Sequence, residues 1–75
     1  MPSPSVLTPR ELEVVVLVGD GLSDTAVAAR LKVGTGTVRG HMASAKAKLG
    51  LHKRSELVRY ALTTGVSHLA PPRDK

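Results

Sequence analysis

Seven glycines divide the chain into short segments, and this spacing most restricts the structures that it can form. Glycine favours helix ends because it adopts the left-handed backbone conformation without a steric penalty. Between the glycines at 21, 34, 50 and 65, apolar residues recur three and four positions apart, which is typical of amphipathic helices. The sequence therefore predicts an all-α fold of four short helices.

The first predicted helix has the clearest start signal. Thr8-Pro9-Arg10-Glu11 is a capping box with proline at the first helical position. The run at 14–18 is rich in valine and would also suit a strand, but the cap and the spacing favour a helix. Gly19-Asp20-Gly21 ends this helix, and Gly21 is predicted to be left-handed.

A second helix and a tight turn follow. Ser23 is the predicted N-cap of a helix over residues 24–31. Lys32-Val33-Gly34 connects it to a third helix over about residues 35–49, with Gly34 as the N-cap and Gly50 at the end. The third helix is expected to face the core with a stripe formed by Val38, Met42, Ala45 and Leu49.

A fourth helix is predicted to begin near Lys53-Arg54 and to end by residues 63–65. Its apolar residues are Leu57, Val58, Ala61 and Leu62. A domain of this size has a thin core, and these residues exceed what one face of it needs. Two interpretations stay open: they cap the core, or a second copy of the chain buries one of them as a dimer contact.

Composition narrows the class of protein. With one tyrosine and no phenylalanine or tryptophan, the core is expected to consist of valine, leucine, alanine and methionine. The absence of cysteine excludes disulfides and thiolate metal sites and suits a cytoplasmic protein. No apolar run could span a bilayer, and the first residues do not form a signal peptide. Residues 1–6 and 67–75 are expected to be flexible, which leaves one domain over residues 7–66.

Positive charge is concentrated in the second part of the chain. Residues 26–62 contain eight basic residues and one acidic residue, whereas residues 1–25 contain one basic and four acidic residues. Such an excess is typical of proteins that bind polyanions, although a solvated basic surface would look the same. No acidic, histidine or glycine-rich cluster has a spacing suited to catalysis, metal or cofactor binding. The sequence therefore predicts a binding domain that is not an enzyme and needs no cofactor.

Two short helices joined by a glycine-containing turn form the helix-turn-helix pattern. In that motif the N-terminal residues of the second helix enter the major groove of DNA. Here that terminus is Gly34-Thr35-Gly36-Thr37, and its small, hydroxylated residues would let a DNA backbone approach closely.

Taken together, motifs along residues 7–62 resemble the LuxR/NarL-type helix-turn-helix domain of bacterial transcription regulators. The matching residues are Leu7-Thr8-Pro9-Arg10-Glu11, Val15, Leu17, Gly21-Leu22-Ser23, Val27-Ala28, Leu31, Thr37-Val38, His41, Lys48-Leu49-Gly50 and Arg54. The resemblance implies a four-helix domain of the C-terminal effector type that binds double-stranded promoter DNA sequence-specifically. It also implies a homodimer on DNA with contacts from the last helix, and RNA polymerase is a further candidate partner. The chain would be a free-standing regulator or the output module of a longer one, such as a response regulator.

By position, the resemblance assigns the outer face of the third helix to DNA. The residues matched to base edges are Arg39, Gly40 and Ala43. The residues assigned to contacts with the DNA backbone are Thr35, Thr37, Lys46, Lys48 and Arg54. Arg39 could pair with guanine, and Ala43 could touch a thymine methyl group. For Arg54 an ion pair with Glu11, Glu13 or Glu56 is the alternative, Lys46 and Lys48 could be solvated, and His41 suits packing better than DNA contact.

The sequence also departs from the family. Thr25 and Ala26 stand where the family often has a basic residue and a glutamate, and Gly34 replaces the usual serine cap. Larger residues are common at Gly40 and Ala43, so the reading face is bare. We therefore expect modest specificity, or specificity that depends on DNA shape and phosphates. The alternative hypothesis is a degenerate helix-turn-helix that acts as a protein-interaction or dimerisation module with only non-specific DNA affinity.

Overall fold

The computed structural model describes residues 6–65, and these residues form four α-helices and no strand. The helices are α1 (Pro9–Gly19), α2 (Asp24–Leu31), α3 (Thr35–Leu49) and α4 (Arg54–Thr64). The predicted all-α, four-helix fold is confirmed. The expected flexible segments 1–6 and 67–75 fall, except for residue 6, outside the described residues and stay predictions.

Local signals in the sequence set the starts of α1 and α2. The Thr8 hydroxyl accepts a hydrogen bond from the Glu11 backbone N–H at 3.1 Å, and the Glu11 carboxylate accepts one from the Thr8 N–H at 2.9 Å. At α2, the Ser23 hydroxyl accepts from the Ala26 N–H at 3.2 Å. These caps satisfy N–H groups that have no partner within the helix, and each is typically worth about 1 kcal/mol.

Left-handed residues end the helices or follow them. Gly21 has φ of 95°, as predicted for a left-handed residue, and Gly50, predicted to end the third helix, is its left-handed C-cap with φ of 72°. The turn between α2 and α3 places its left-handed residue at Lys32 instead, with φ of 59°. No left-handed residue was predicted in this turn, and lysine adopts that backbone region only with strain. Gly34 starts α3 without a side-chain cap, as its lack of a side chain requires.

The helix α1 lies at the centre of the core and contacts each of the other three helices. For this reason all five residues from Val14 to Val18 are buried, rather than one face of the helix. In α3, by contrast, only one face is buried. It consists of the predicted stripe of Val38, Met42, Ala45 and Leu49, and the other residues of the helix are half-buried or exposed.

Two features of the core were not predicted. Tyr60 on α4 is only 2% exposed, so the expectation of a core without aromatic residues is wrong. Burial raises the pKa of its phenol above the ordinary value. In addition, α1 and α4 approach closely where Gly19 meets Ala61. A Cβ atom on Gly19 would lie 2.6 Å from the Ala61 Cβ, so this position accepts only glycine without a shift of the helices.

Candidate nucleic-acid interface

The outer face of α3 is open along the residues that the sequence assigned to DNA bases. Arg39, Gly40 and Ala43 are exposed, and they lie opposite the buried stripe of the same helix. Apart from its chain neighbours and the backbone of its own helix, a Cβ atom added at Gly36 or Gly40 would meet no atom of residues 6–65 within 4 Å. The fold therefore does not require glycine at either position, and another molecule could approach this helix backbone closely.

The side chain of Arg39 extends from this face and is 70% exposed. Its Nε lies 3.5 Å from Oδ2 of Asp24, the first residue of α2. An exposed ion pair of this length contributes little to stability, but it links the side chain to the preceding helix. The guanidinium thus remains accessible on the outer face of α3.

Arg54 pairs with the same carboxylate from the start of α4. Its Nη1 donates to Asp24 Oδ1, and its Nη2 donates to the Leu22 carbonyl oxygen at 2.7 Å. From the sequence, an ion pair of Arg54 was the alternative to a DNA contact. The structure contains such an ion pair, but its acid is Asp24 and not Glu11, Glu13 or Glu56. Asp24 was missed because it is distant in sequence from both arginines. The sequence did contain one signal for Asp24, because it is the first residue of α2, where the helix dipole favours an acidic side chain.

Lys48 lies next to Glu11 rather than extending freely into solvent. Its Nζ lies 2.8 Å from Glu11 Oε1, and the Ser44 hydroxyl donates to Glu11 Oε2 at 2.6 Å. Ser44 and Lys48 are four residues apart and share one face of α3. The capping glutamate of α1 therefore also attaches α3 to α1, a tertiary role that the capping box did not reveal.

Glu11 is only 5% exposed, and the pKa of its carboxyl group reflects that environment. Burial alone is the largest effect and would raise the pKa. The hydrogen bonds from Lys48, Ser44 and the Thr8 backbone, together with the charge of Lys48, outweigh burial and lower the pKa from 4.5 to about 2. The carboxylate is therefore ionised at neutral pH, and Lys48 is held beside it.

The other residues assigned to the DNA backbone differ in exposure. Thr37 is exposed, whereas Thr35 and Lys46 are half-buried, and His41 is half-buried as well. Thr35 and Thr37 both lie in the first turn of α3, where free backbone N–H groups suit an anion. Arg39 and Thr37 thus lie near the same end of α3, while Lys46 and Lys48 lie near its other end.

The assigned dimer residues divide into two pairs. Leu57 and Ala61 are 0% and 6% exposed and belong to the core of the chain itself. These two assignments are corrected, because neither side chain can reach a second copy without opening the domain. Val58 is half-buried against the core, and Leu62 is 69% exposed. The interpretation that these residues cap the core therefore applies to Leu57 and Ala61 and in part to Val58, but not to Leu62.

None of the helices within residues 6–65 has the length and the apolar character that a membrane span requires. In the same part of the chain, no group of three or more histidine, cysteine or acidic side chains could hold a metal ion.

The arrangement of α2, the turn and α3 defines a helix-turn-helix domain with a basic, exposed second helix. The family model of the bacterial regulatory proteins of the luxR family matches residues 5–61. This chain belongs to the LuxR family, as the resemblance in the sequence predicted.

Relatives of the chain are named as regulators. It is 48% identical over 59 residues to a helix-turn-helix-type transcriptional regulator of Mycobacterium bovis, covering 79% of this chain and 7% of the relative. It is 41% identical over 68 residues to the response regulator Rre1 of Synechocystis, covering 88% and 29%. It is 40% identical over 57 residues to the oxygen regulatory protein NreC of Staphylococcus aureus, covering 76% and 26%. The chain thus spans less than a third of the length of these relatives.

Proposed function

We propose that this domain binds double-stranded DNA sequence-specifically, as the DNA-binding part of a bacterial transcription regulator. The exposed outer face of α3, which carries Arg39 and has the core stripe on its other side, supports the proposal. An α-helix with side chains is about 10–12 Å wide, and the major groove of B-DNA is about 12 Å wide. A helix that is bare on one face fits such a groove closely.

Within this proposal each exposed residue has a distinct role. Arg39 donates to guanine, Ala43 touches a thymine methyl group, and Gly40 lets the helix backbone approach the base edges. Phosphates are bound by Thr35, Thr37, Lys46, Lys48 and Arg54. Lys48 and Arg54 contact Glu11 and Asp24 in the free domain. Their contribution to phosphate binding is therefore smaller than that of unpaired cations.

The whole regulator would act as a homodimer on two half-sites. The exposed Leu62 and the half-buried Val58 on α4 are the contacts that the chain offers for a second copy. A few residues of this size bury much less than a stable dimer needs, so dimerisation on this face would depend on DNA. RNA polymerase is a further partner of such a regulator. DNA as the target would place the protein in the cytoplasm, with no catalytic activity or cofactor of its own.

The test is selection from a pool of random duplexes by the 75-residue chain, repeated at low and moderate salt. Enrichment of a repeated motif supports specific reading by a dimer. Arg39→Ala is then expected to weaken binding to the selected duplex by roughly 1–3 kcal/mol and to relax the preference for one guanine. Salt-sensitive binding without enrichment would refute sequence specificity for this domain alone.

The second candidate function is a protein-interaction module. It is favoured by the pairing of Arg39, Lys48 and Arg54 with acidic groups of the chain itself, which reduces the positive field available to DNA. The same selection distinguishes the two functions. An absence of binding at low salt, where phosphate contacts are strongest, would favour the protein-interaction module.

A further inference from the structure

One carboxylate, that of Asp24, connects the exposed arginine of α3 to the start of α4. Its two oxygens face two different arginines: Oδ1 accepts from Arg54, and Oδ2 lies 3.5 Å from Arg39 Nε. Arg54 is itself fixed by its second hydrogen bond, to the Leu22 carbonyl. Because the Asp24 side chain is only 23% exposed, its position is determined by α2 and Arg54 rather than by solvent.

An acidic group at this place is unfavourable for DNA binding by charge alone, since it repels phosphates. Any favourable contribution of Asp24 to DNA binding must therefore come from its contacts with Arg39 and Arg54. Among the contacts that the structure describes, Arg39 uses Nε alone, so both terminal nitrogens remain available. A bidentate contact to O6 and N7 of guanine needs two N–H groups of one guanidinium edge at the same time.

We propose that Asp24 is a positioning residue for Arg39, which holds Nε so that the two terminal nitrogens are presented together to one guanine. This inference rests on the proposed function, because it needs Arg39 to read a base. Fixing the guanidinium before binding reduces the side-chain entropy that Arg39 loses in the complex. Arg54 contributes by keeping the carboxylate in place, so the start of α4 supports the reading of bases by α3.

The experiment compares four chains: the original, Asp24→Asn, Arg39→Ala and the double variant. Each is titrated against the selected duplex and against the same duplex with the guanine recognised by Arg39 replaced. A bidentate arginine contact gives a discrimination of roughly 5- to 150-fold. Asp24→Asn is expected to lose most of it, roughly tenfold, while its binding to the replaced duplex gains what the removal of one negative charge contributes. In the Arg39→Ala background, Asp24→Asn is expected to have no further effect on discrimination.

Glu13→Gln is the matched control, since it removes the same charge from an exposed pair on α1, 3.3 Å from Arg10. A uniform gain in affinity for both duplexes on Asp24→Asn would overturn the proposal, because Asp24 would then only repel phosphates. A loss of equal size in the Arg39→Ala background would also overturn it, since Asp24 would then act through Arg54 or the fold.

A second variant covers the case in which Asp24→Asn does not fold. Arg39→Lys keeps the charge and leaves the contact of Asp24 with Arg54, but lysine has no Nε and no fork. It is expected to discriminate less than the original chain, because lysine has no separate Nε for Asp24 to hold, and full retention of discrimination would overturn the proposal. If the original chain selects no sequence at all, the proposed function has failed, and that result is distinct from all of these outcomes.

Discussion

The replacement of Glu11 by glutamine tests how strongly α3 is attached to α1. Glutamine keeps the shape of the side chain and can still accept from the Thr8 N–H. It removes the charge opposite Lys48, and its single carbonyl oxygen cannot accept from Lys48 and Ser44 as the two carboxylate oxygens do, because the amide nitrogen only donates. We therefore expect Glu11→Gln to lower the free energy of unfolding at neutral pH.

The magnitude follows from the pKa of Glu11, about 2 in the folded chain against an ordinary value of 4.5. A difference of this size corresponds to about 3 kcal/mol. Because the Lys48 side chain is 37% exposed, solvent screening reduces the expected loss to about 2 kcal/mol. A domain of this length has a total stability of roughly 4–11 kcal/mol, so the loss is a substantial fraction.

The pH dependence gives a second, independent check. The lowered pKa stabilises the folded state fully above the unfolded value of 4.5, and this stabilisation disappears as the pH falls towards 2. About half of it is lost near pH 3.3. The difference in stability between the original chain and Glu11→Gln is therefore expected to be largest at pH 7 and to disappear near pH 2.

The assay is urea unfolding followed by circular dichroism at several pH values between 2 and 7. Glu13→Gln is the control: its pair with Arg10 is an exposed one between neighbouring turns, and we expect a change within about 0.5 kcal/mol. A Glu11→Gln difference that is as small as the control, or that stays constant down to pH 2, would refute the assignment of Glu11 as the link between α1 and α3.

Two further predictions concern glycines. Gly19→Ala is expected to cost about 1–2 kcal/mol in urea unfolding, because a Cβ would lie 2.6 Å from the Ala61 Cβ and overpacking exceeds the gain in helix propensity. Ala61→Gly in the same chain should recover part of this loss, and no recovery would contradict the close approach. Gly40→Ala is expected to raise stability by about 0.5–1 kcal/mol, seen as a higher melting temperature, since its Cβ would lie in open space. A lower melting temperature would contradict that reading.

The helix boundaries could be predicted because the signals that set them are local. The Thr8 cap, the Ser23 cap and the left-handed Gly50 each act within one turn of their own position, and one sequence contains all the information. The left-handed Lys32 shows the limit of such signals. Its conformation is imposed by the geometry of the turn between two packed helices, against the preference of the residue itself.

The contacts of the candidate interface could not be predicted, because they join helices. Periodicity tells which face of a helix is buried, but not which residue of another helix it meets. The pairing of Glu11 with Lys48 and of Asp24 with Arg54 spans 37 and 30 residues. In the same way, Leu57 was a reasonable dimer contact in the sequence, and only its position between helices shows that the chain buries it.

The helix proposed to enter DNA depends on its neighbours more than on its own sequence. Its N-cap, Gly34, provides no side-chain cap, and the helix contains Gly36 and Gly40, each of which lowers helix stability by about 1 kcal/mol relative to alanine. Its stripe of four buried residues and the contacts of Ser44 and Lys48 with Glu11 are what hold it on α1. The residues that leave its outer face bare thus weaken the helix, and the contacts of Ser44 and Lys48 with Glu11 offset part of that weakness. The packing of α3 on α1 therefore stabilises the helix whose exposed face is the candidate interface.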